Sequence, residues 1–156
     1  MTRRGFTLVE LLIVIALIGI MLSMATFNFS QYTRKSGIVN QTKTLYGDLM
    51  EYRLKALYEK KDWTIKISSN SYAIYSSSVT TVAPVSSVVL KYPVTSNNAT
   101  DIIYGSYGLA NVSGKTVCVT DPNDAAVDSL VISQTRVQIG KKQQDMDCEA
   151  GKIDAK

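Results

Sequence analysis

The length, composition and charge of the chain limit the classes of protein it can represent. Its 156 residues suffice for one compact domain with appendages, and 17 basic residues stand against 13 acidic ones. Histidine is absent, so the commonest general base and the commonest zinc ligand are missing, and the sequence has no P-loop or nucleophile elbow. We therefore expect neither catalysis nor a cofactor.

An apolar segment begins close to the N-terminus. No charged residue lies between Leu11 and Thr33, and a helix needs about 20 such residues to cross the ~30 Å hydrocarbon core of a membrane. The sequence therefore predicts a transmembrane helix over residues 6 to about 30. Arg3 and Arg4 precede it without an acidic residue, which predicts a cytoplasmic N-terminus and a head outside the cytoplasm.

Glu10 is a lone carboxylate at the start of the apolar segment. Burying an unpaired carboxylate in lipid is costly, so a charged group in this position has two explanations that the residues alone leave open. Either Glu10 has a functional role with a cationic partner, or it lies at the level of the lipid headgroups and stays hydrated.

The segment from Arg4 to Glu10, with the sequence RGFTLVE, resembles the class III signal of type IV pilins and type II secretion pseudopilins. The resemblance implies cleavage by prepilin peptidase between Gly5 and Phe6, so that residues 1–5 form a leader. It also implies N-methylation of Phe6. Glu10 would then pair with the free amine of a neighbouring subunit's first residue, which offsets the desolvation of both charges.

The same resemblance implies where the chain works and with which partners. It would enter the bacterial inner membrane as a single-pass protein and then contact the inner-membrane assembly platform. Other pilins or pseudopilins would bind it through the N-terminal helix, in a type IV pilus or a type II secretion pseudopilus. Many major pilins carry a proline within this helix, whereas this chain has none between Met1 and Ala83, which favours a minor subunit.

The next segment, residues 31–61, has the periodicity of an amphipathic helix that ends near Lys60. Its apolar positions recur at helical intervals, and charged residues occupy the opposite side. The apolar stripe is Ile38, Leu45, Leu49, Tyr52 and Ala56, and the charged side is Lys43, Asp48, Glu51, Lys55 and Glu59. We expect the stripe to pack against the head and the charged side to be solvated.

Residues 62–156 form a predicted β-rich head. Short runs of β-branched and aromatic residues alternate with Ser, Asn, Gly and Pro, which predicts an antiparallel sheet of about six strands. The runs are 63–67, 71–75, 88–92, 116–120 and 130–132, and the predicted turns are 70–71, 93–98, 111–114 and 121–123. Residues 76–87 fit an edge strand or an irregular connection. The predicted class is α+β and pilin-like, with a long N-terminal helix packed on an antiparallel sheet.

Cys118 and Cys148 are the two cysteines of the chain. An even pair in an exported head favours a disulfide, and two unpaired thiols are the alternative. A disulfide would close a loop of about 30 residues and contribute roughly 3–4 kcal/mol.

Two further stretches, 48–57 leading into Trp63 and 130–140, resemble the GspH/FimT group of minor pseudopilins. In some members of that group a C-terminal Gly-Arg-x-Arg element contacts DNA, and the matching positions here are 135–138, which retain only Arg136. Lys141 and Lys142 would add phosphate contacts. The alternative is an exposed hairpin of mixed charge, which we favour because acidic residues follow at once.

An acidic group, Asp121, Asp124 and Asp128, raises the question of calcium. Its spacing matches no EF-hand loop, and Asp-Pro-Asn-Asp is an ordinary turn sequence, so we predict no metal site. The favoured function is that of a minor pilin or pseudopilin. The alternatives are a DNA-binding minor pilin and a major pilin.

Overall fold

A computed structural model describes residues 6–156, without the side chains of residues 24–28. This part of the chain contains one long helix, nine strands and one short 3-10 helix. In chain order they are α1 Leu8–Glu59, β1 Trp63–Ile67, β2 Ser71–Tyr75, β3 Ser86–Val89, β4 Val94–Ser96, β5 Ile102–Tyr104, β6 Lys115–Val119, β7 Ser129–Ile132, β8 Val137–Lys142, the 3-10 helix Ala150–Lys152, and β9 Ile153–Ala155. Two compact units divide the chain, the first ending at Arg34 and the second covering Lys35–Lys156.

Helix α1 contributes residues to both units and is continuous through residues 30 and 31, where the predicted membrane and amphipathic segments meet. No proline interrupts it, and the hydroxyls of Thr33 and Thr42 donate to the carbonyls four residues earlier, at 2.8 and 2.9 Å. The helix ends at Glu59 because Lys60 adopts a left-handed φ of 54°. Within the residues that the structure describes, no helix combines the length and the apolarity that crossing a membrane requires.

The head is built from two antiparallel sheets, not from the single predicted sheet of about six strands. The first sheet has the order β3-β2-β1-β5, and the second has the order β4-β6-β7-β8-β9. Every pair of neighbouring strands is antiparallel. The strands predicted at 63–67 and 71–75 are confirmed as β1 and β2, and those near 116–120 and 130–132 are confirmed as β6 and β7 within one residue at each end.

Three short strands differ from the sequence-based prediction. β4 lies in residues 93–98, which the turn residues there predict as a turn, and neither β5 nor β9 is predicted. The run predicted at 88–92 begins two residues earlier and ends at Val89 as β3. Residues 76–85 contain no strand, which resolves the ambiguity of that segment in favour of an irregular connection leading into β3.

The apolar stripe of α1 forms one side of the core of the second unit. All five predicted stripe residues are buried, and they join aromatic and aliphatic side chains from both sheets. On the charged side, Glu51 and Lys55 form the expected ion pair with 2.8 Å between Oε1 and Nζ. Asp48 departs from the prediction, because it is partly buried and accepts a hydrogen bond from the hydroxyl of Tyr72.

Two contacts with Tyr92 position α1 against the head. The side-chain amide of Gln41 donates to the carbonyl of Tyr92 at 2.7 Å and accepts from its N–H at 2.9 Å, so it pairs with the backbone as a strand residue would. At Gly37 the helix approaches the Tyr92 ring so closely that a Cβ would lie 3.0 Å from Cε2 and would overlap the hydroxyl. The side chain at position 37 is therefore restricted to hydrogen.

Candidate assembly site

The first turn of α1 is fixed by its own sequence. The hydroxyl of Thr7 accepts a hydrogen bond from the N–H of Glu10 at 3.2 Å, and the N–H of Leu11 donates to the carbonyl of Thr7 at 3.2 Å. Thr7 is thus the N-cap, and Glu10 occupies the third helical position, as in the capping-box pattern T-x-x-E. A carboxylate in the first turn also interacts favourably with the helix dipole. This local role of Glu10 could be predicted from the spacing of Thr7 and Glu10, but we did not predict it.

Glu10 is exposed and is surrounded by exposed apolar side chains. In the first unit, Phe6 and Leu8 are each 80% exposed and Val9 is 66% exposed. The large aliphatic residues from Leu11 to Leu22 are all at least 45% exposed. Exposed apolar side chains on all sides of a helix are typical of a segment that is covered by lipid or by another protein.

The predicted processing site lies at the edge of the described residues. Gly5, together with Arg3 and Arg4, falls outside them. Phe6 lies just before the N-cap, so a cut between Gly5 and Phe6 would place the new amine one residue ahead of the N-cap and two ahead of the first helical residue, Leu8. The cleavage, the methylation of Phe6 and the assembly role of Glu10 all remain predictions.

The disulfide predicted between Cys118 and Cys148 is present. Its Cα atoms are 5.9 Å apart, and it joins β6 to the C-terminal segment across a sequence separation of 30. The hydroxyl of Thr116 on β6 also donates to the carbonyl of Cys148. These two links fix the C-terminal segment to a buried strand, so the alternative of two free thiols is excluded.

The three basic residues considered for DNA contact do not converge on one site. Arg136 is exposed in the turn before β8, whereas Lys141 and Lys142 end that strand and are partly buried. At about 3.3 Å per residue, Arg136 and Lys142 lie roughly 20 Å apart along the strand. Lys141 is also opposite Asp154 of β9 in the register. DNA contact at these residues stays a prediction without a shared surface to support it.

The acidic residues of the 121–128 segment have partners within the protein. Asp128 is buried and accepts from the hydroxyl of Ser129 at 2.6 Å and from the N–H of Lys142 at 2.8 Å. Asp124 pairs with Lys35 at 3.3 Å. Among the residues that the structure describes, no group of three or more His, Cys, Asp or Glu side chains is arranged to hold a metal ion.

A buried lysine that we did not predict organises one loop of the head. The side chain of Lys115 on β6 donates to the carbonyl of Asn98 at 3.1 Å and also to that of Thr100. Burial lowers the pKa of Lys115. Its position could have been found from the alternation of β6, because Lys115 falls on the same face as Val117 and Val119, which are both buried.

Known proteins resemble this chain in two respects, the N-terminal motif and the fold. Residues 1–26 match a family model described as the prokaryotic N-terminal methylation motif. The fold is similar to that of the type IV minor pilin FimU of Pseudomonas aeruginosa PAO1 in two crystal forms. One match has a TM-score of 0.58 and 16% identity and covers 79% of this chain and 96% of FimU. The other has a TM-score of 0.51 and 16% identity and covers 74% and 95%.

No curated protein sequence matches the chain significantly. The fold and the N-terminal motif nevertheless define a class, that of α+β proteins with a long N-terminal helix packed on antiparallel sheets. Within that class the chain has a fold similar to that of a type IV minor pilin, and its N-terminal 26 residues match the prokaryotic N-terminal methylation motif.

Proposed function

We propose that this chain is a minor pilin or pseudopilin, a structural subunit that is assembled into a type IV pilus or a type II secretion pseudopilus. The observation that carries the proposal is the match to the methylation motif over residues 1–26, which includes the first turns of a helix whose apolar side chains are exposed. The pilin-like fold of the head supports it, since FimU is a type IV minor pilin. The absence of proline before Ala83 favours a minor over a major subunit.

The proposed route begins in the inner membrane. Residues 1–5 form the leader, residues 6 to about 30 hold the precursor in the membrane, and the head lies outside the cytoplasm. Prepilin peptidase cuts between Gly5 and Phe6, and the new amine of Phe6 is methylated. The exposed apolar helix then leaves lipid for the equally apolar surfaces of neighbouring subunits, so little hydrophobic surface is exposed to water at any step.

Glu10 supplies the specificity of this transfer in our proposal. Apolar helices slide against one another with little preference for register, whereas a carboxylate in an apolar layer strongly prefers a cationic partner. The amine on Phe6 of the neighbouring subunit is such a partner. The charge pair would therefore set the axial stagger between adjacent subunits, while the surrounding aliphatic side chains provide most of the contact area.

The test is the incorporation of Glu10→Ala into filaments. We expect membrane insertion to be unchanged and the amount of the variant in sheared filaments to fall at least about tenfold, because one charge remains buried without its partner. Glu51→Ala is the matched control, because Glu51 lies on the same helix, is exposed and pairs only with Lys55 among the described residues. It should assemble normally.

Glu10→Gln separates the assembly role from the local one. If Glu10 only stabilises the first helical turn, the loss of its charge costs about 0.3–1 kcal/mol of helix stability and leaves assembly intact. If the charge pair is needed, Glu10→Gln assembles as poorly as Glu10→Ala. Normal incorporation of both variants would refute the proposed role of Glu10, and mass spectrometry of the mature N-terminus would test cleavage and methylation independently.

A further inference from the structure

Two sheets leave four edge strands in the head, and three of these edges are wholly or partly protected. On β5 the outward N–H of Ile103 donates to the side chain of Asn111 at 2.8 Å, and the N–H of Asn111 donates back to Ile103 at 2.9 Å. On β4 the outward N–H of Val94 donates to the carbonyl of Ser69 at 2.8 Å, whereas the outward N–H of Ser96 has no partner among the described residues. β9 is three residues long and carries the charge of Asp154, features that discourage pairing with another chain.

The remaining edge, β3, has unpaired backbone groups. The N–H of Leu90 donates to the carbonyl of Asn70 at 2.8 Å, which identifies a hydrogen-bonded pair of the antiparallel ladder between β2 and β3. Such pairs alternate with non-hydrogen-bonded ones along the ladder. The N–H and C=O groups of Ser87 and Val89 must therefore point away from β2, and no hydrogen bond from the described residues reaches them.

The sequence around this edge lacks the usual protection. No charged residue occurs from Ser76 to Leu90, and Pro84 precedes the strand instead of interrupting it. Four valines of this stretch are more than half exposed, with Val89 at 82%. Natural edges are commonly protected by lysines, prolines or bulges, so an uncharged β-branched edge with free donors and acceptors is suited to bind another extended backbone.

We propose that β3 is an interaction surface that pairs antiparallel with β3 of a second copy of this chain. A second copy fits this edge because the free groups of β3 are complementary to themselves. When Ser87 of one copy lies opposite Val89 of the other, the two-fold axis passes between the two Val88 residues, and two hydrogen-bonded pairs form with four hydrogen bonds. Each copy supplies the same donors and acceptors, as an isologous contact requires.

The same register is compatible with the side chains and charges. Val89 of one copy lies over Ser87 of the other on the outer face of the sheet, where both side chains are exposed. The proposed pairing ends before Val85, whose N–H already donates to the carbonyl of Ile74 of β2 at 2.7 Å. Lys91, the first charged residue after the strand, would lie near this uncharged residue of the other copy, so no like charges meet. The two four-stranded sheets would become one sheet of eight strands. This surface is independent of the methylation motif and of Glu10.

Disulfide trapping of the full chain in detergent micelles tests the proposed register. The two native cysteines are paired, so an introduced cysteine is the sole free thiol. Opposite residues of a hydrogen-bonded pair have Cα atoms about 5.5 Å apart, which a disulfide spans without strain. Mixing Ser87→Cys with Val89→Cys under mild oxidation should give several-fold more cross-linked dimer than either variant alone. Tyr107→Cys, at an equally exposed position (80%), is the control and should give little.

A second variant removes the donor without disturbing the fold. Val89→Pro deletes an N–H that points outward, which an edge strand tolerates. We expect sedimentation equilibrium to show a dimer dissociation constant raised about thirtyfold, through the loss of one hydrogen bond per copy. Val89→Thr keeps the N–H and the β-branch and should stay near wild type. Association through α1 is the same in the wild type, Val89→Pro and Val89→Thr. Differences between their dissociation constants therefore report on β3.

Either of two results would overturn the proposal. One is a cross-linking yield for the Ser87→Cys and Val89→Cys mixture no higher than that of Tyr107→Cys. The other is an unchanged dissociation constant for Val89→Pro when its circular dichroism spectrum shows a native fold. If β3 binds a different polypeptide and does not self-associate, the cross-linking yield would also be no higher than that of Tyr107→Cys. That result would exclude a second copy as the partner of β3.

Discussion

The buried hydroxyl of Tyr104 allows a direct test of how the core of the head is stabilised. Tyr104 is 1% exposed, and its hydroxyl has no hydrogen-bond partner among the described residues. A buried polar group without a partner costs about 1–3 kcal/mol. Tyr104→Phe removes this group and keeps the ring, so the free energy of unfolding should rise by about 1 kcal/mol.

The advantage of Tyr104→Phe should increase in alkali. Burial raises the pKa of Tyr104 from 10.0 to about 12. Between these two values the unfolded chain loses the hydroxyl proton while the folded chain retains it, so ionisation stabilises only the unfolded state. At pH 11 this difference should lower the stability of the wild type relative to Tyr104→Phe by a further ~1.4 kcal/mol.

Urea unfolding of the full chain in detergent micelles provides the measurement. At pH 7 the single tryptophan, Trp63, is buried in the head and reports its unfolding by fluorescence. From pH 9 to pH 11 circular dichroism replaces fluorescence, since tyrosinate quenches tryptophan. Tyr72→Phe is the matched control, because the same atom is removed but the Tyr72 hydroxyl donates to Asp48. It should destabilise the head by about 1.5–3 kcal/mol at pH 7.

Two results would contradict these expectations for Tyr104. If Tyr104→Phe destabilises the head as much as Tyr72→Phe does, the hydroxyl has a partner in solution. If the gap between wild type and Tyr104→Phe stays constant from pH 9 to pH 11, burial does not raise the pKa of Tyr104 as stated.

Two further predictions concern the stability of the head. Replacing Cys118 and Cys148 by serine should lower the free energy of unfolding by roughly 3–4 kcal/mol, measured by urea unfolding, with dithiothreitol giving the same loss in the wild type and none in the variant. Gly37→Ala should destabilise the head by up to about 2 kcal/mol, because overlap of its Cβ with the buried side chain of Tyr92 costs about 1–3 kcal/mol and the helix propensity of alanine offsets about 1 kcal/mol. Gly47→Ala on the same helix meets nothing within 4 Å and should instead stabilise it by about 1 kcal/mol, so equal effects at the two glycines would contradict this packing.

The sequence was sufficient to predict the helical half of the head's core. The stripe from Ile38 to Ala56 follows the period of a helix, and all of its predicted members are buried. Strands of five residues such as β1 and β2 were also predictable, since each contains enough β-branched or aromatic side chains between turn residues. In both cases the signal lies within a single local segment.

The division into two sheets was not predictable by the same means. β4, β5 and β9 have three residues each, which is too short for an alternating pattern to be distinguished from a loop. Their existence depends on partners far along the chain, as when Val94 pairs with Val119. Asp48 was misjudged for a related reason, because its partner Tyr72 is 24 residues away.

The candidate assembly site shows a similar division between local and distant information. The pattern from Arg4 to Glu10 is recognisable from sequence alone and matches the methylation-motif family. The free edge of β3 was not predictable, because an edge strand is defined by the strands that do not pair with it.

The N-cap at Thr7 has a consequence for the proposed maturation. Because the cap lies downstream of the bond between Gly5 and Phe6, its hydrogen bond does not involve the leader, and we expect the helix to begin at Leu8 after cleavage as well. Processing would then leave the backbone of the helix as it is. What changes is the chemistry directly ahead of it, where an amide nitrogen becomes a positively charged amine. Maturation would switch on a charge on a helix that is already formed, so the peptidase would control when subunits associate without refolding any part of them.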